Sequence, residues 1–189
     1  MIHYTAMETA DAALARLCDP DAEVSVHYLI DRTGAVTQLV AEERRAWHAG
    51  AGSWRGNKDI NSRSIGIELD NTGHHPFPEP QMAALERLLK DILSRWTILP
   101  EDIIGHSDMA PGRKMDPGPR FDWSRLARQG LAGPVEPGPK QPDFPTAAQT
   151  AGFTAPVDKD TLLSATRLRF APWRTGPQVA DDLKLYHRT

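Results

Sequence analysis

The sequence predicts an α/β protein, in which a β-sheet and helices form the main unit and a small helical extension follows it. Residues 64–69 alternate between apolar and polar side chains, which is typical of a half-buried strand. Residues 80–96 carry apolar side chains at the 3.6-residue spacing of an amphipathic helix. Residues 133–145 are so rich in proline that they predict a stiff, extended linker between the two parts.

Further strands are predicted along the first unit. Residues 2–5 predict a short strand that carries His3 near its end. The apolar runs 25–30 and 35–40 flank an Asp/Gly turn, which predicts a hairpin. Ile103 and Ile104 lead directly into Gly105 and His106, so a third strand end carries a polar group.

The helix over residues 80–96 begins at a proline, and Pro100 prevents it from continuing. Its apolar stripe predicts a core-facing surface and consists of Met82, Leu85, Leu88, Leu89, Ile92, Leu93 and Trp96. Residues 121–131 predict a final short helix of this unit. We therefore divide the chain into a main domain at 1–131, a linker at 132–145 and an extension at 146–189, whose three predicted helices cover 146–153, 160–170 and 175–186. An extension this short rarely folds alone, so we expect it to dock on the main domain.

Composition excludes several classes of protein. A net charge of −3 argues against a nucleic-acid-binding protein, which normally has a basic surface. No apolar run is as long as a transmembrane helix, and the N-terminal part of the chain as written has no apolar segment typical of a secretory signal. We expect a cytoplasmic protein, or a periplasmic or envelope protein if the natural start lies upstream. Cys18 is the only cysteine, which excludes an intramolecular disulfide, and its helical context predicts a buried position.

The segment from residue 105 to residue 119 concentrates polar chemistry in a loop. Its proline and glycine content excludes a regular helix or a central strand. His106 and Asp116 are residue types that bind zinc, and Lys114 lies between them in sequence. The spacing alone leaves two interpretations open, a metal site and a polar turn with an incidental histidine.

Three strand ends strengthen the interpretation as a metal site. Glu68 projects from its strand opposite the apolar side chains Ile67 and Leu69. His3 and His106 lie at two other strand ends. Because ligands of open α/β sheets gather at the carboxyl ends of strands, we expect these side chains and the Lys114/Asp116 loop to converge at one edge of the sheet.

Five blocks in this order carry a close family resemblance: IHYT at 2–5, VSVHYLI at 24–30, AWHAG at 46–50, SIGIELDN at 64–71 and the loop GHSDMAPGRKMDPGP at 105–119. Together they resemble the zinc-dependent N-acetylmuramoyl-L-alanine amidases, whose fold is shared with phage T7 lysozyme and the peptidoglycan recognition proteins. The blocks are most similar to the bacterial muropeptide-recycling amidase and its cell-envelope relative. The resemblance implies a central mixed β-sheet flanked by helices.

The resemblance also implies roles for individual residues. His3, His106 and Asp116 correspond to three zinc ligands, Glu68 to the general base and acid, and Lys114 to the cation that stabilises the oxyanion. Substrate contacts are expected at Trp47, His48, Trp54 and Asn71. Val26 stands where phage-type enzymes have a tyrosine. This difference argues against a phage-type mechanism and makes the proton-transfer role of Glu68 more important. We expect His27 to pack inward without a catalytic role.

The expected activity is hydrolysis of the amide bond between N-acetylmuramic acid and L-alanine, in peptidoglycan or in its anhydro-muropeptide fragments, by a monomeric zinc enzyme of cell-wall turnover. One alternative is a non-catalytic muropeptide-binding module of the same fold, and another is a zinc hydrolase of a different amide. The extension is expected either to brace the main domain or to act as a reduced peptidoglycan-binding module. In both cases we expect the chemistry to survive its removal.

Overall fold

The computed structural model describes residues 1–185 and contains a four-stranded mixed sheet flanked by helices. Its strands are β1 (Ile2–Tyr4), β2 (Tyr28–Ile30), β3 (Val36–Gln38) and β4 (Ile67–Leu69), in the spatial order β1-β4-β2-β3. β4 pairs in parallel with both β1 and β2, whereas β2 and β3 form the predicted antiparallel hairpin. The predicted α/β fold with a central mixed sheet is confirmed.

Within the described residues 1–185, six α-helices accompany the sheet: α1 (Ala10–Leu17), α2 (Glu79–Trp96), α3 (His106–Met109), α4 (Trp123–Arg128), α5 (Phe144–Ala151) and α6 (Lys159–Phe170). The predicted stripe of α2 packs against the sheet and forms much of the first apolar cluster. Trp96 is the exception, since its side chain is exposed and its Nε1 donates a hydrogen bond to Glu42 at 2.6 Å. Within residues 1–185, no helix is both long and apolar enough to cross a membrane.

A second apolar cluster joins the extension to the main domain. The main domain contributes residues that include Trp54, Ile104 and Met109, and α5 contributes Phe144. Phe153, which follows α5, contacts Trp54 with ring centroids 5.3 Å apart. The extension thus docks as expected, and its apolar side chains share one core with the main domain.

The last predicted helix of the extension is wrong over most of its length. Only a short 3₁₀ segment forms there, at Ala180–Leu183, and residue 186 lies outside the described residues. Pro177 accounts for the start of the predicted helix only, because proline disfavours a helical conformation of the residue before it. Residues 132–143 of the predicted linker form no helix or strand, whereas α5 begins at Phe144, inside the predicted bounds of the linker. The backbone N–H groups of Gly138 and Gln141 donate to the carbonyls of Lys184 and Leu183, at 2.8 and 2.9 Å.

Cys18 is also placed differently from the sequence-based expectation. It caps the C-terminus of α1, and its side chain is exposed. Ala13 is the fully buried residue of this helix. The short helix therefore buries only a narrow stripe, and Cys18 lies beyond the end of that stripe.

Candidate metal centre and active site

Parallel strand pairing brings two predicted site residues side by side. In the pairing of β1 with β4, His3 lies opposite Glu68. On the other edge of β1, Ile2 forms a parallel bridge with Gly105, the residue before His106. Residues from β1, from β4 and from the segment after this bridge therefore converge at one edge of the sheet. The convergence agrees with the sequence analysis, but the third predicted strand is reduced to the isolated bridge at Gly105.

Residues 106–109 of the predicted loop form α3, because the prolines and glycines of the segment lie outside these four residues, and the rest of the segment returns Asp116 to the same point. The backbone N–H of Ser107 donates to the carbonyl oxygen of Asp116 at 2.9 Å and so closes the loop. His3 Nδ1 lies 3.0 Å from His106 Nδ1 and 2.9 Å from Asp116 Oδ2, and His106 Nδ1 lies 3.1 Å from the same carboxylate oxygen. All three side chains are buried, and they form a candidate metal-binding cluster.

Hydrogen bonds outside the cluster determine which ring nitrogens are free. His106 Nε2 lies 2.8 Å from the carbonyl oxygen of Ala49, and a carbonyl only accepts, so Nε2 carries the proton and Nδ1 has a lone pair. Burial lowers the pKa of His3 to about 4, so this ring is neutral at pH 7. The Nε2 atom of His3 faces the Nδ1 atom of His48 at 3.0 Å, outside the cluster.

The donor set fits a divalent cation. Two imidazole nitrogens and a carboxylate oxygen repel one another when their lone pairs point at one another, unless a cation lies between them. Two histidines and one carboxylate also form a known type of catalytic zinc site, in which water takes a fourth position. The separations of 2.9–3.1 Å are close to the roughly 3.3 Å expected between tetrahedral ligands of zinc.

Glu68 lies beside the cluster with an unusual carboxyl group. Within residues 1–185, its Oε2 atom is buried and has no hydrogen-bond partner. Burial and, to a smaller extent, the negative charge of Asp116 raise the pKa of Glu68 to about 8, whereas the positive charge of Lys114 acts in the opposite direction. A carboxyl group in this environment can exchange a proton near neutral pH.

A cleft of about 410 Å³ opens above the cluster. Its wall includes Lys114 and Trp47, the latter with 56% of its surface exposed and with the Arg45 guanidinium 4.1 Å from its ring. The sequence analysis did not predict several other wall residues, which are Met7, Arg16, Leu17, Val24 and Met115. Arg16 belongs to α1, whose sequence pattern indicates only a helix.

Comparison with known proteins gives this geometry a context. The family described as N-acetylmuramoyl-L-alanine amidase (Amidase_2) matches residues 1–119, which contain all three cluster residues, Glu68 and Lys114. The chain belongs to the N-acetylmuramoyl-L-alanine amidase family. The resemblance inferred from the five sequence blocks is therefore confirmed.

Relatives of this amidase-family chain extend beyond the matched region. The N-acetylmuramoyl-L-alanine amidase AmiD of Escherichia coli is 41% identical over 179 residues, which cover 86% of this chain and 62% of AmiD. This chain thus spans less than two thirds of that relative. A structure of AmiD with anhydro-N-acetylmuramic acid-L-Ala-D-γ-Glu-L-Lys has a TM-score of 0.84 and 33% identity, covering 97% of this chain and 84% of that chain. AmpDh3 of Pseudomonas aeruginosa with anhydromuramic pentapeptide has a TM-score of 0.85 and 30% identity, covering 97% and 87%.

Two residues predicted to contact substrate lie elsewhere in this amidase-family fold. Trp54 is only 8% exposed, because Gly152 and Phe153 of the extension cover it. Asn71 is fully buried, and its Oδ1 accepts from the Gly73 backbone N–H at 2.7 Å, which fixes the turn after β4. Neither residue lines the cleft, so their predicted substrate contacts are corrected to structural roles. Trp47 lines the cleft, and its contact with substrate stays a prediction.

Two further histidines have internal partners. His27 is fully buried, receives the Gly66 backbone N–H on Nδ1 at 3.0 Å and donates from Nε2 to the Arg44 carbonyl at 3.0 Å. It packs inward, in agreement with the sequence analysis. His48 borders the cleft, but its ring nitrogens face His3 and Ser64. His48 thus lies behind a metal-ligand candidate, and its predicted contact with substrate stays a prediction.

Arg113 supports the cluster from a position that the sequence analysis did not single out. Its guanidinium donates to the carbonyl oxygen of Ala49 at 2.6 Å and also to that of Ala51. The first of these carbonyls is the one that fixes the tautomer of His106. The only available sequence signal was that Arg113 lies next to Lys114 in the polar loop.

Proposed function

We propose that this chain hydrolyses the amide bond between N-acetylmuramic acid and L-alanine in peptidoglycan or its anhydro-muropeptide fragments, with zinc held by His3, His106 and Asp116. The observation that carries the proposal is the cluster of three lone-pair donors in an open cleft, beside the buried Oε2 atom of Glu68, which has no hydrogen-bond partner among residues 1–185. The solved structures of AmiD and AmpDh3 with anhydromuramic peptides support the substrate class.

When bound, zinc supplies Lewis-acid polarisation of a carbonyl group and lowers the pKa of a coordinated water. The remaining steps fall to side chains of this chain. Glu68 takes a proton from the attacking water and delivers it to the nitrogen of the leaving amine, so the carboxyl group ends as it began. Its buried Oε2 atom and raised pKa support this role, because the protonated and ionised forms are both accessible near pH 7.

The positive side chains of the cleft serve charge stabilisation and binding. Lys114 places a cation in the cleft, where negative charge develops on the carbonyl oxygen during attack. Arg16 lies on the cleft wall formed by α1. A γ-linked glutamate in a stem peptide keeps a free carboxylate, and a guanidinium is well suited to bind one.

The metal assignment is tested by zinc content and product formation. Purified His106→Ala and Asp116→Ala variants should lose zinc, measured by mass spectrometry of the metal, and should lose hydrolysis of anhydro-N-acetylmuramyl tripeptide, followed by liquid chromatography. His74→Ala is the control, because that histidine lies outside the cluster. Full zinc retention in both ligand variants would overturn the assignment. A zinc-loaded wild type that binds the peptide without cleaving it would instead support a binding module.

Two other predictions belong to this proposal. A monomer in solution is expected, and light scattering coupled to size-exclusion chromatography measures the mass directly.

Cytoplasmic location stays a prediction as well, and fractionation of the source cells followed by immunoblotting checks it. Detection of the protein in the periplasmic fraction would contradict the cytoplasmic prediction and place the protein outside the inner membrane.

A further inference from the structure

His48 has an arrangement that the proposed reaction does not explain. Its Nδ1 atom lies 3.0 Å from Nε2 of His3, on the side of that ring that faces away from the metal cluster. Its other ring nitrogen, Nε2, lies 3.3 Å from the hydroxyl oxygen of Ser64. Both polar atoms of a cleft-lining imidazole are therefore directed at the protein.

Ile60, Ser64, His48 and His3 form a row of hydrogen-bonded groups. The position of each proton along this row follows from the carbonyl group at the Ile60 end. The Ser64 hydroxyl donates its single hydrogen to the carbonyl oxygen of Ile60 at 2.7 Å, because a carbonyl can only accept. Ser64 Oγ can then only accept from His48, so Nε2 of His48 carries a proton. In the neutral ring this leaves Nδ1 of His48 as a lone pair.

The same reasoning continues into the cluster. Since Nδ1 of His48 is an acceptor, the hydrogen bond at 3.0 Å requires a proton on Nε2 of His3. The neutral His3 ring then has its lone pair on Nδ1, the atom that faces His106 and Asp116. The row from Ile60 to His3 therefore selects the tautomer that can bind a metal.

The surrounding backbone is shaped to hold His48 in this place. The side-chain oxygen of Asn61 accepts from the backbone N–H groups of His48 and Ala49, at 3.0 and 2.7 Å. Gly66 lies against the imidazole, and a Cβ atom at this position would fall 2.6 Å from Cγ of His48. A side chain at position 66 would therefore displace the ring.

We propose that His48 is a positioning residue, which accepts a hydrogen bond from His3 and thereby holds the His3 tautomer that binds the metal. This inference rests on the proposed zinc site and deepens it. Metal-binding histidines usually donate their second N–H to a carboxylate, a backbone carbonyl or water, as His106 does to Ala49. His3 instead donates to a second imidazole.

The test compares two amide substitutions that differ in where they place an acceptor. In His48→Asn the side-chain oxygen can occupy the position of Nδ1, whereas in His48→Gln the amide lies nearer the position of Nε2 and Ser64. Loss of a hydrogen-bond partner behind a metal ligand typically lowers metal affinity about 10–100-fold. We expect that loss in His48→Gln and in Gly66→Ala, and zinc affinity close to wild type in His48→Asn, measured by competition with a chromophoric chelator.

The controls separate this inference from the zinc assignment. Melting temperatures of the metal-free proteins are measured in parallel, and His106→Ala serves as the reference for a lost ligand. If wild type binds zinc and His106→Ala does not, but His48→Gln binds as tightly as wild type, this inference alone is overturned. Equal loss of affinity in His48→Asn and His48→Gln would also overturn it, because an acceptor at the Nδ1 position would then have no effect. If wild type binds no zinc, the proposed function fails as well.

Discussion

Arg169 Nη1 lies 2.7 Å from Asp108 Oδ2, in a buried ion pair that joins α6 of the extension to α3 of the main domain. The same carboxylate oxygen accepts from the backbone N–H of Gly105 at 2.9 Å, immediately before His106. Arg169 also donates to the carbonyl of Ile103 at 3.1 Å, and its guanidinium lies 4.2 Å from the ring centre of Trp123. The extension thus contacts the segment that carries a metal-ligand candidate.

Removing the arginine of this pair should destabilise the protein strongly. Arg169→Met leaves the carboxylate of Asp108 buried without its partner, which typically costs about 3–5 kcal/mol in the free energy of unfolding. Chemical denaturation measures this change, and Arg128→Met at an exposed position of α4 is the matched control. Adding Asp108→Asn to Arg169→Met should recover part of the loss, since the stranded charge is gone. Additive losses would show that the two side chains do not interact.

Removal of the extension should also destabilise the main domain, as expected if the extension braces that domain. A chain ending at Gly130 would expose Trp54, Ile104 and Met109, which are buried in the second apolar cluster. We expect a large fall in melting temperature and a loss of cooperative unfolding, measured by circular dichroism and calorimetry. A shortened chain that melts like the full chain and cleaves muropeptide would show instead that residues 131–189 are an independent appendage.

The two tryptophans of the loop after the hairpin should respond in opposite ways. Trp54→Ala removes a buried ring from the second cluster and should cost about 3–5 kcal/mol in stability. Trp47→Ala changes an exposed cleft residue, so the melting temperature should stay near that of wild type. Steady-state kinetics on soluble muropeptide should show a raised KM for Trp47→Ala. An unchanged KM would remove Trp47 from the binding surface.

Glu68 and Lys114 should be needed for turnover and not for metal binding. Glu68→Gln removes the proton acceptor, and general acid–base catalysis typically contributes about 10²–10⁴-fold to the rate. Lys114→Met removes a cleft cation and should lower kcat through lost oxyanion stabilisation. Both proteins should retain wild-type zinc content. A loss smaller than tenfold in Glu68→Gln would mean that another group transfers the proton.

The pH dependence of stability should report on Glu42. Hydrogen bonds from Arg95, Tyr28 and Trp96 outweigh the effect of burial and lower the pKa of Glu42 to about 2. A lowered carboxyl pKa stabilises the fold above the unfolded-state value of about 4.5, and this contribution is lost as pH falls toward 2. Glu42→Gln should therefore cost roughly 1–3 kcal/mol at pH 7 and progressively less below pH 4.5.

The neighbouring residue supplies the control for this measurement. Glu43 is exposed, and its replacement in Glu43→Gln should leave the free energy of unfolding nearly unchanged at every pH. Denaturation curves of the three proteins at several pH values between 3 and 8 make the comparison. A stability difference for Glu42→Gln that is constant over this range would contradict the assignment of the effect to ionisation.

Local patterns predicted much of the fold and of the candidate site. The alternation around Glu68 fixes which side chains face the core, and the apolar stripe of α2 does the same for a helix. In both cases the deciding information lies within a few neighbouring residues, so the sequence alone was sufficient to predict the element. The polar segment at 105–119 was predicted to be a loop throughout, but residues 106–109 form α3, because its prolines and glycines lie outside these four residues.

The errors and the contacts that were not predicted arise where the deciding partner is distant in the chain. Trp54 follows a glycine-rich stretch that indicates an exposed loop, but its partner Phe153 comes from the extension. His48 faces His3, 45 residues earlier, and this pairing leaves no local pattern in the sequence. Asn71 belongs to a block that resembles the family, although its polar atoms only stabilise the turn after β4.

Because His3 and Glu68 are paired across β1 and β4, their relative position in the site depends on the register of these two strands. Neighbouring strands lie about 4.8 Å apart, and a shift of one residue turns every side chain of a strand to the opposite face. Such a shift would replace Glu68 in the cleft with Ile67 or Leu69, which are now almost completely buried. The packing of the apolar core and the placement of the catalytic carboxylate therefore depend on the same three-residue strand. A sequence that keeps Ile67 and Leu69 in the core also keeps Glu68 aligned with His3.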